Sequence, residues 1–133
     1  MNLLSAFAAV GLVAVGCEQR DIDGPGFLGA QVQKRMTGTW GNGSNGVLAL
    51  RSDGSFSSSW TNWQAKPPAV WRYEGAWQLT NGICYTTIAK ADALNTTNVE
   101  TVGSRDAWRL IRVNERKLAW EFDGRTNHLD RLP

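Results

Sequence analysis

Residues 69–87 read AVWRYEGAWQLTNGICYTT. Within them Trp71, Tyr73, Gly75, Trp77 and Leu79 alternate with Arg72, Glu74, Ala76 and Gln78. A period of two places the first set on one face of an extended strand and the second on the other. Asn81-Gly82 then supplies a two-residue turn, because both central positions of a type I′ hairpin need positive φ and this pair tolerates it. Ile83, Tyr85 and Thr87 resume the alternation, with Cys84 on the opposite phase. The stretch is a β-hairpin with one aromatic face.

The same pattern extends in both directions. Upstream, Leu48 and Leu50 alternate with Val47, Ala49 and Arg51, and Asp53-Gly54 offers a second hairpin turn of the same kind. Phe56 and Trp60 share one face of the strand that follows, while Ser55, Ser57 and Ser59 share the other. Downstream, residues 95–104 are polar apart from Val99 and Val102, which suits either an edge strand or a long loop. Trp108, Leu110 and Arg112 then oppose Arg109 and Ile111. After a turn at residues 114–116, Leu118, Trp120 and Phe122 form an apolar face, and Asp123-Gly124 is a third turn. About eight strands joined by short turns predict an all-β fold, a small antiparallel up-and-down barrel closed so that no edge is left to aggregate. Phe27, Leu28, Val32 and Met36 recur at spacings near three to four, the pattern of a short helix capping one end.

Composition agrees. The chain has 133 residues, enough for one core, and its 42% hydrophobic and 20% charged content argues against disorder. Its 14 Gly and 7 Trp suit a turn-rich β protein better than a helical bundle. A formal charge of +2 gives no reason to expect a nucleic-acid partner.

The N-terminus has a different character. Residues 3–16 read LLSAFAAVGLVAVG, uncharged and shorter than the ~20 apolar residues of a membrane-spanning helix, but of signal-peptide length. Ala14-Val15-Gly16-Cys17 closes the run, and Glu18-Gln19-Arg20-Asp21 begins abruptly after it. This resembles the lipobox of bacterial lipoproteins, although no Lys or Arg stands between Met1 and the apolar core. The resemblance implies a signal peptide at 1–16, lipidation of Cys17 on sulfur, and a membrane anchor in the cell envelope through Cys17. Glu18, where Asp is associated with inner-membrane retention, favours the outer membrane. Residues 17–26, ending in Gly24-Pro25-Gly26, are too polar to bury a core and read as a flexible tether to a domain at 27–133.

The series Gly38-Thr39-Trp40, Leu48, Leu50, Asp53-Gly54, Phe56, Gly75, Trp77, Leu79 and Asn81-Gly82 is similar to the small lipocalin-like domains of bacterial lipoproteins. Gly-x-Trp on the first strand carries that resemblance, which implies a barrel fold and no particular activity.

Chemistry-bearing groups are sparse. His128 has only Asp130 as a same-face neighbour, no His and Cys cluster has metal spacing, and no basic residue flanks Cys84. Glu74 and Glu121 lie on the polar phases of their strands, where two catalytic carboxylates would share no cleft. We therefore expect neither an enzyme nor a cofactor. The tryptophans stand out. Trp40, Trp77 and Trp120 read as core, whereas Trp60, Trp63 and Trp71 flank Gln64-Ala65-Lys66-Pro67-Pro68, a loop that cannot pair in a sheet, and form a candidate binding rim. Arg105, Arg109 and Arg112, with Arg116 and Lys117, form a candidate patch for an anionic partner. The resulting expectation is a non-enzymatic lipoprotein whose barrel binds a small apolar ligand or a protein of the envelope. The alternatives are a periplasmic inhibitor or immunity protein acting on a cell-wall hydrolase, and a structural accessory of an envelope complex.

Overall fold

The computed structural model describes residues 27–133, with side chains from Gln31 onward. The signal peptide 1–16, the tether 17–26 with Cys17, and the side chains of Phe27 and Leu28 lie outside the described residues. A helix, α1 (Phe27–Met36), precedes eight strands: β1 (Gly38–Gly41), β2 (Gly46–Leu50), β3 (Ser55–Asn62), β4 (Ala69–Thr80), β5 (Ile83–Leu94), β6 (Arg105–Val113), β7 (Lys117–Phe122) and β8 (Arg125–Arg131). Each strand pairs antiparallel with the next, and β8 returns to β1 through Trp40 opposite Arg131, so the sheet is a closed barrel. The all-β up-and-down barrel with a short preceding helix is thus the fold.

The hairpin at 69–87 forms as its alternation dictates. Tyr73 and Trp77 are buried on the inner face while Arg72, Glu74, Ala76 and Gln78 are exposed. Asn81 and Gly82 have φ of 51° and 79°, and Asp123 and Gly124 have 53° and 78°, the two positive values of a type I′ turn. Asp53-Gly54 departs from this. Only Gly54 has positive φ there, Gly54 N donates to Arg51 O at 3.0 Å, and Arg51 N donates to Ser55 O at 2.9 Å, so the turn spans one residue more. Asp53 turns its carboxylate onto Ser55 N and Oγ at 2.8 and 2.7 Å, an Asx contact that holds Asp53 out of the left-handed region.

Two bulges shift the inner phase. On β5 Cys84, Thr86 and Ile88 face inward, and after a register break opposite Glu74 and Gly75 the phase passes to Ala91. On β6 the break between Leu110 and Arg112 leaves Ile111 unpaired, so Val113 is buried and Arg112 leaves the face of Trp108 and Leu110 on which alternation alone had set it. Residues 95–104 are a loop.

Tryptophan fills the inside. Trp40, Trp60, Trp77, Trp108 and Trp120 are each at most 4% exposed, with Trp108 and Trp120 in contact at 5.2 Å between ring centroids. Gly46 is needed for this packing, because a Cβ there would overlap the indole of Trp60. Helix α1 buries Val32 and Met36 in the same core at the end where β1 begins. Arg131 fastens that end, donating from Nε to Glu115 O at 2.8 Å, from Nη1 to Thr37 O at 3.0 Å and from Nη2 to Arg35 O at 2.6 Å. The opposite end is formed by the β1–β2, β3–β4, β5–β6 and β7–β8 connections, and constitutes the mouth.

Candidate functional site at the barrel mouth

Loops carry most of the exposed apolar surface at this end. Trp63, in the β3–β4 loop, is 56% exposed, yet its indole N–H donates to Ser44 O in the β1–β2 loop at 2.9 Å. The ring is therefore fixed in orientation while its face meets solvent. Leu94 at the end of β5, and Val99 and Val102 in the β5–β6 loop, are exposed as well. An exposed aromatic held in a fixed orientation has the make-up of a recognition anchor.

The other two tryptophans of the expected rim are placed differently. Trp60 is 3% exposed on the inner face, directly opposite Trp71 in the β3–β4 register. Trp71 is half-buried against the core, and its Nε1 donates to Asn98 O at 2.6 Å. Together with Asn95 Nδ2 donating to Pro68 O at 2.9 Å, that bond folds the β5–β6 loop over the mouth.

The loop delivers Glu100 to the interior edge. Glu100 N donates to the Tyr73 hydroxyl at 3.3 Å, and Ser104 Oγ donates to Glu100 Oε1 at 3.5 Å. Facing it is Asp106, which shares the inner phase of β6 with Trp108 and Leu110 and lies opposite Thr86 in register. Burial, then the Glu100 charge and a hydrogen bond to Glu100, push the Asp106 carboxyl up to about 7. Burial also raises the Tyr73 phenol beside them. Two acidic side chains are thus held together, with Asp106 hydrogen-bonded to Glu100.

Several inner polar atoms have no partner: Ser58 Oγ, Trp60 Nε1, Thr86 Oγ1, Trp108 Nε1 and Trp120 Nε1. Of these, Thr86 Oγ1 lies on the inner face directly across from Asp106 in the β5–β6 register.

The arginines of the expected patch lie along β6, off its inner face. Arg105 stands over the Tyr85 ring at 4.2 Å, and Arg109 sits across from Glu121 in register, with Arg112 beyond the bulge. Cys84 is fully buried, and burial pushes its thiol well up, away from reactivity. His128 is exposed on β8.

Sequence reading passed over Asp106 and Glu100. Asp106 could have been found as a carboxylate in phase with Trp108 and Leu110, a charge on an apolar face. Glu100 carries no such mark, because a loop has no period. Comparison with protein-family models, with curated proteins and with solved structures found no match to this chain.

Proposed function

We propose that the chain is a non-enzymatic lipoprotein of the bacterial cell envelope. Lipid on Cys17 holds it to the membrane, the outer more than the inner, and its lipocalin-like barrel recognises a partner protein through the mouth. The observation that carries this reading is Trp63, exposed yet pinned to Ser44 O above an interior already packed with tryptophan. A filled core leaves the rim as the surface for contact, and aromatic anchors with fixed rotamers lose little entropy on binding.

A photo-crosslinking residue at position 63, in the full chain in its native envelope, should give a discrete protein adduct. The same residue at Gln78, exposed on the outer wall near the helix end, should not. Trp63→Ala should leave Tm within about 2 °C of the wild type, because an exposed ring adds little to folding. A stable, anchored protein with no adduct at position 63 would count against the rim.

A further inference from the structure

We propose that Asp106 and Glu100, with Tyr73 and Thr86, form a binding site for a protonated alkylamine inside the mouth. The inference deepens the recognition reading above, since it names the group that the mouth accepts.

Two independent features converge on it. The first is the paired carboxyl groups, brought together by different devices: Asp106 by the inner phase of β6, and Glu100 by a loop tied down at Trp71, Tyr73 and Ser104. The second is Thr86, 1% exposed, on the same inner face and directly across from Asp106, with Oγ1 lacking any partner. A hydroxyl oxygen and two carboxyl groups suit the three N–H donors of an alkylammonium. Trp71 and Tyr73 offer aromatic surface beside them, a setting that favours organic cations over hydrated ones. Among the described residues no third His, Cys, Asp or Glu completes a metal-ligand set with the pair. Val99, exposed and next to Glu100 in the chain, offers apolar surface for the aliphatic stem behind such a head group.

The charge arithmetic follows. Near neutrality the Asp106 carboxyl is about half protonated and hydrogen-bonded to Glu100. An arriving ammonium takes the place of that proton, which leaves to solvent. The groups acting on Asp106 here are the Glu100 carboxyl and, less directly, the Tyr73 phenol; Arg105, its chain neighbour, is turned to the outer wall over Tyr85.

The test uses the full chain in detergent and titrates n-butylammonium against n-butanol, the uncharged molecule of similar shape, by calorimetry at several pH values. Butylammonium should bind more tightly than butanol and release protons at pH 6.5. Its affinity should fall about tenfold from pH 8 to pH 6 as Asp106 protonates, while the amine stays charged throughout. Asp106→Asn and Glu100→Gln, each checked for an unchanged near-ultraviolet circular dichroism spectrum, should each weaken it about tenfold or more. Equal affinity for butanol, no saturable amine binding, or intact binding in both folded variants overturns the site. A blocked Val-Lys-Val tripeptide separates the sources. Tighter binding than butylammonium assigns the site to a partner's lysine, and equal binding assigns it to a free amine. Should position 63 give no adduct while butylammonium still binds, the rim reading fails and the amine site stands.

Discussion

The guanidinium of Arg131 lies over the Trp40 ring, 4.2 Å from its centroid, joining the last strand of the barrel to the first. One residue thereby performs three tasks. It adds a cation–π contact to the β1–β8 seam, it supplies donors to the carbonyls of Arg35 and Thr37 where α1 ends, and it ties Glu115 of the β6–β7 turn to the same point. Trp40 complements this by donating its indole N–H to Met36 O at 2.9 Å.

Arg131→Met keeps length and apolar bulk but leaves those carbonyls without donors. Losing hydrogen bonds from a charged group together with the ring contact should cost about 3 kcal/mol in urea unfolding. Arg131→Lys should recover less than half of that, because an ammonium cannot direct a planar fork at three separate carbonyls. Full stability of both variants would show that β1 and β8 close without the latch.

Trp77 tests the inner register from the other side of the barrel. It is 4% exposed, and its Nε1 donates to Arg51 O at 2.9 Å, locking the β2–β3 turn onto β4. Trp77→Ala should cost about 3 to 5 kcal/mol, the range for emptying a buried aromatic site. Equilibrium unfolding decides it, and a loss below about 1 kcal/mol would be incompatible with a buried ring at this position.

These relationships differ in how far they could be read from the chain. Alternation at 69–87 and the Asn81-Gly82 and Asp123-Gly124 turns are local, so strand, face and turn type follow from neighbouring residues. The Asp53 turn was harder to read because its form depends on a side chain bonding Ser55 rather than on the Asp-Gly pair itself. The seam between Trp40 and Arg131 was illegible, since it exists only once eight strands have closed. The bulge at Ile111 was hidden for the same reason: an unpaired residue is defined by the partner strand, and a one-residue slip reverses every face that follows. At the mouth, Trp63 was legible from its proline-bearing loop, whereas Glu100 depends on how a long loop folds back onto Tyr73.

Asp106 makes stability depend on pH in an unusual direction. Its carboxyl rises from 3.8 to about 7 on folding, so between those values the folded protein holds a proton that the unfolded chain has lost. Stability is then fully present below about pH 4 and is lost as pH climbs through 7, contrary to the usual gain seen with salt-bridged carboxylates. Asp53, whose carboxylate is lowered by its bonds to Ser55, acts in the opposite sense but only below its ordinary value. Tm should therefore decline from pH 5 to pH 8 in the wild type, and Asp106→Asn should flatten that decline. A wild-type Tm that rises over the same interval would mean that the Asp106 carboxyl is not raised in the folded barrel.

The anchor is tested at Cys17. The run Leu3–Gly16 is too short to span a bilayer, Ala14-Val15-Gly16 supplies small residues ahead of the cysteine, and the chain turns polar immediately after it. Membrane attachment in this reading comes from acyl chains on a mature N-terminal cysteine, each buried methylene contributing about 0.8 kcal/mol and more than one chain being needed for a firm hold. Cys17→Ser should then abolish palmitate labelling and block the specific cleavage. It should leave precursor held by its uncleaved apolar run, or a domain free in the periplasm after adventitious cleavage, with the barrel still folded around the core that runs from Val32 to Leu129. Mass spectrometry of the wild-type N-terminus decides the matter. A mature chain beginning at a triacylated or diacylated Cys17 is the expected result, whereas an unmodified Cys17 in a competent bacterial host removes both the anchor and the envelope localisation that depends on it.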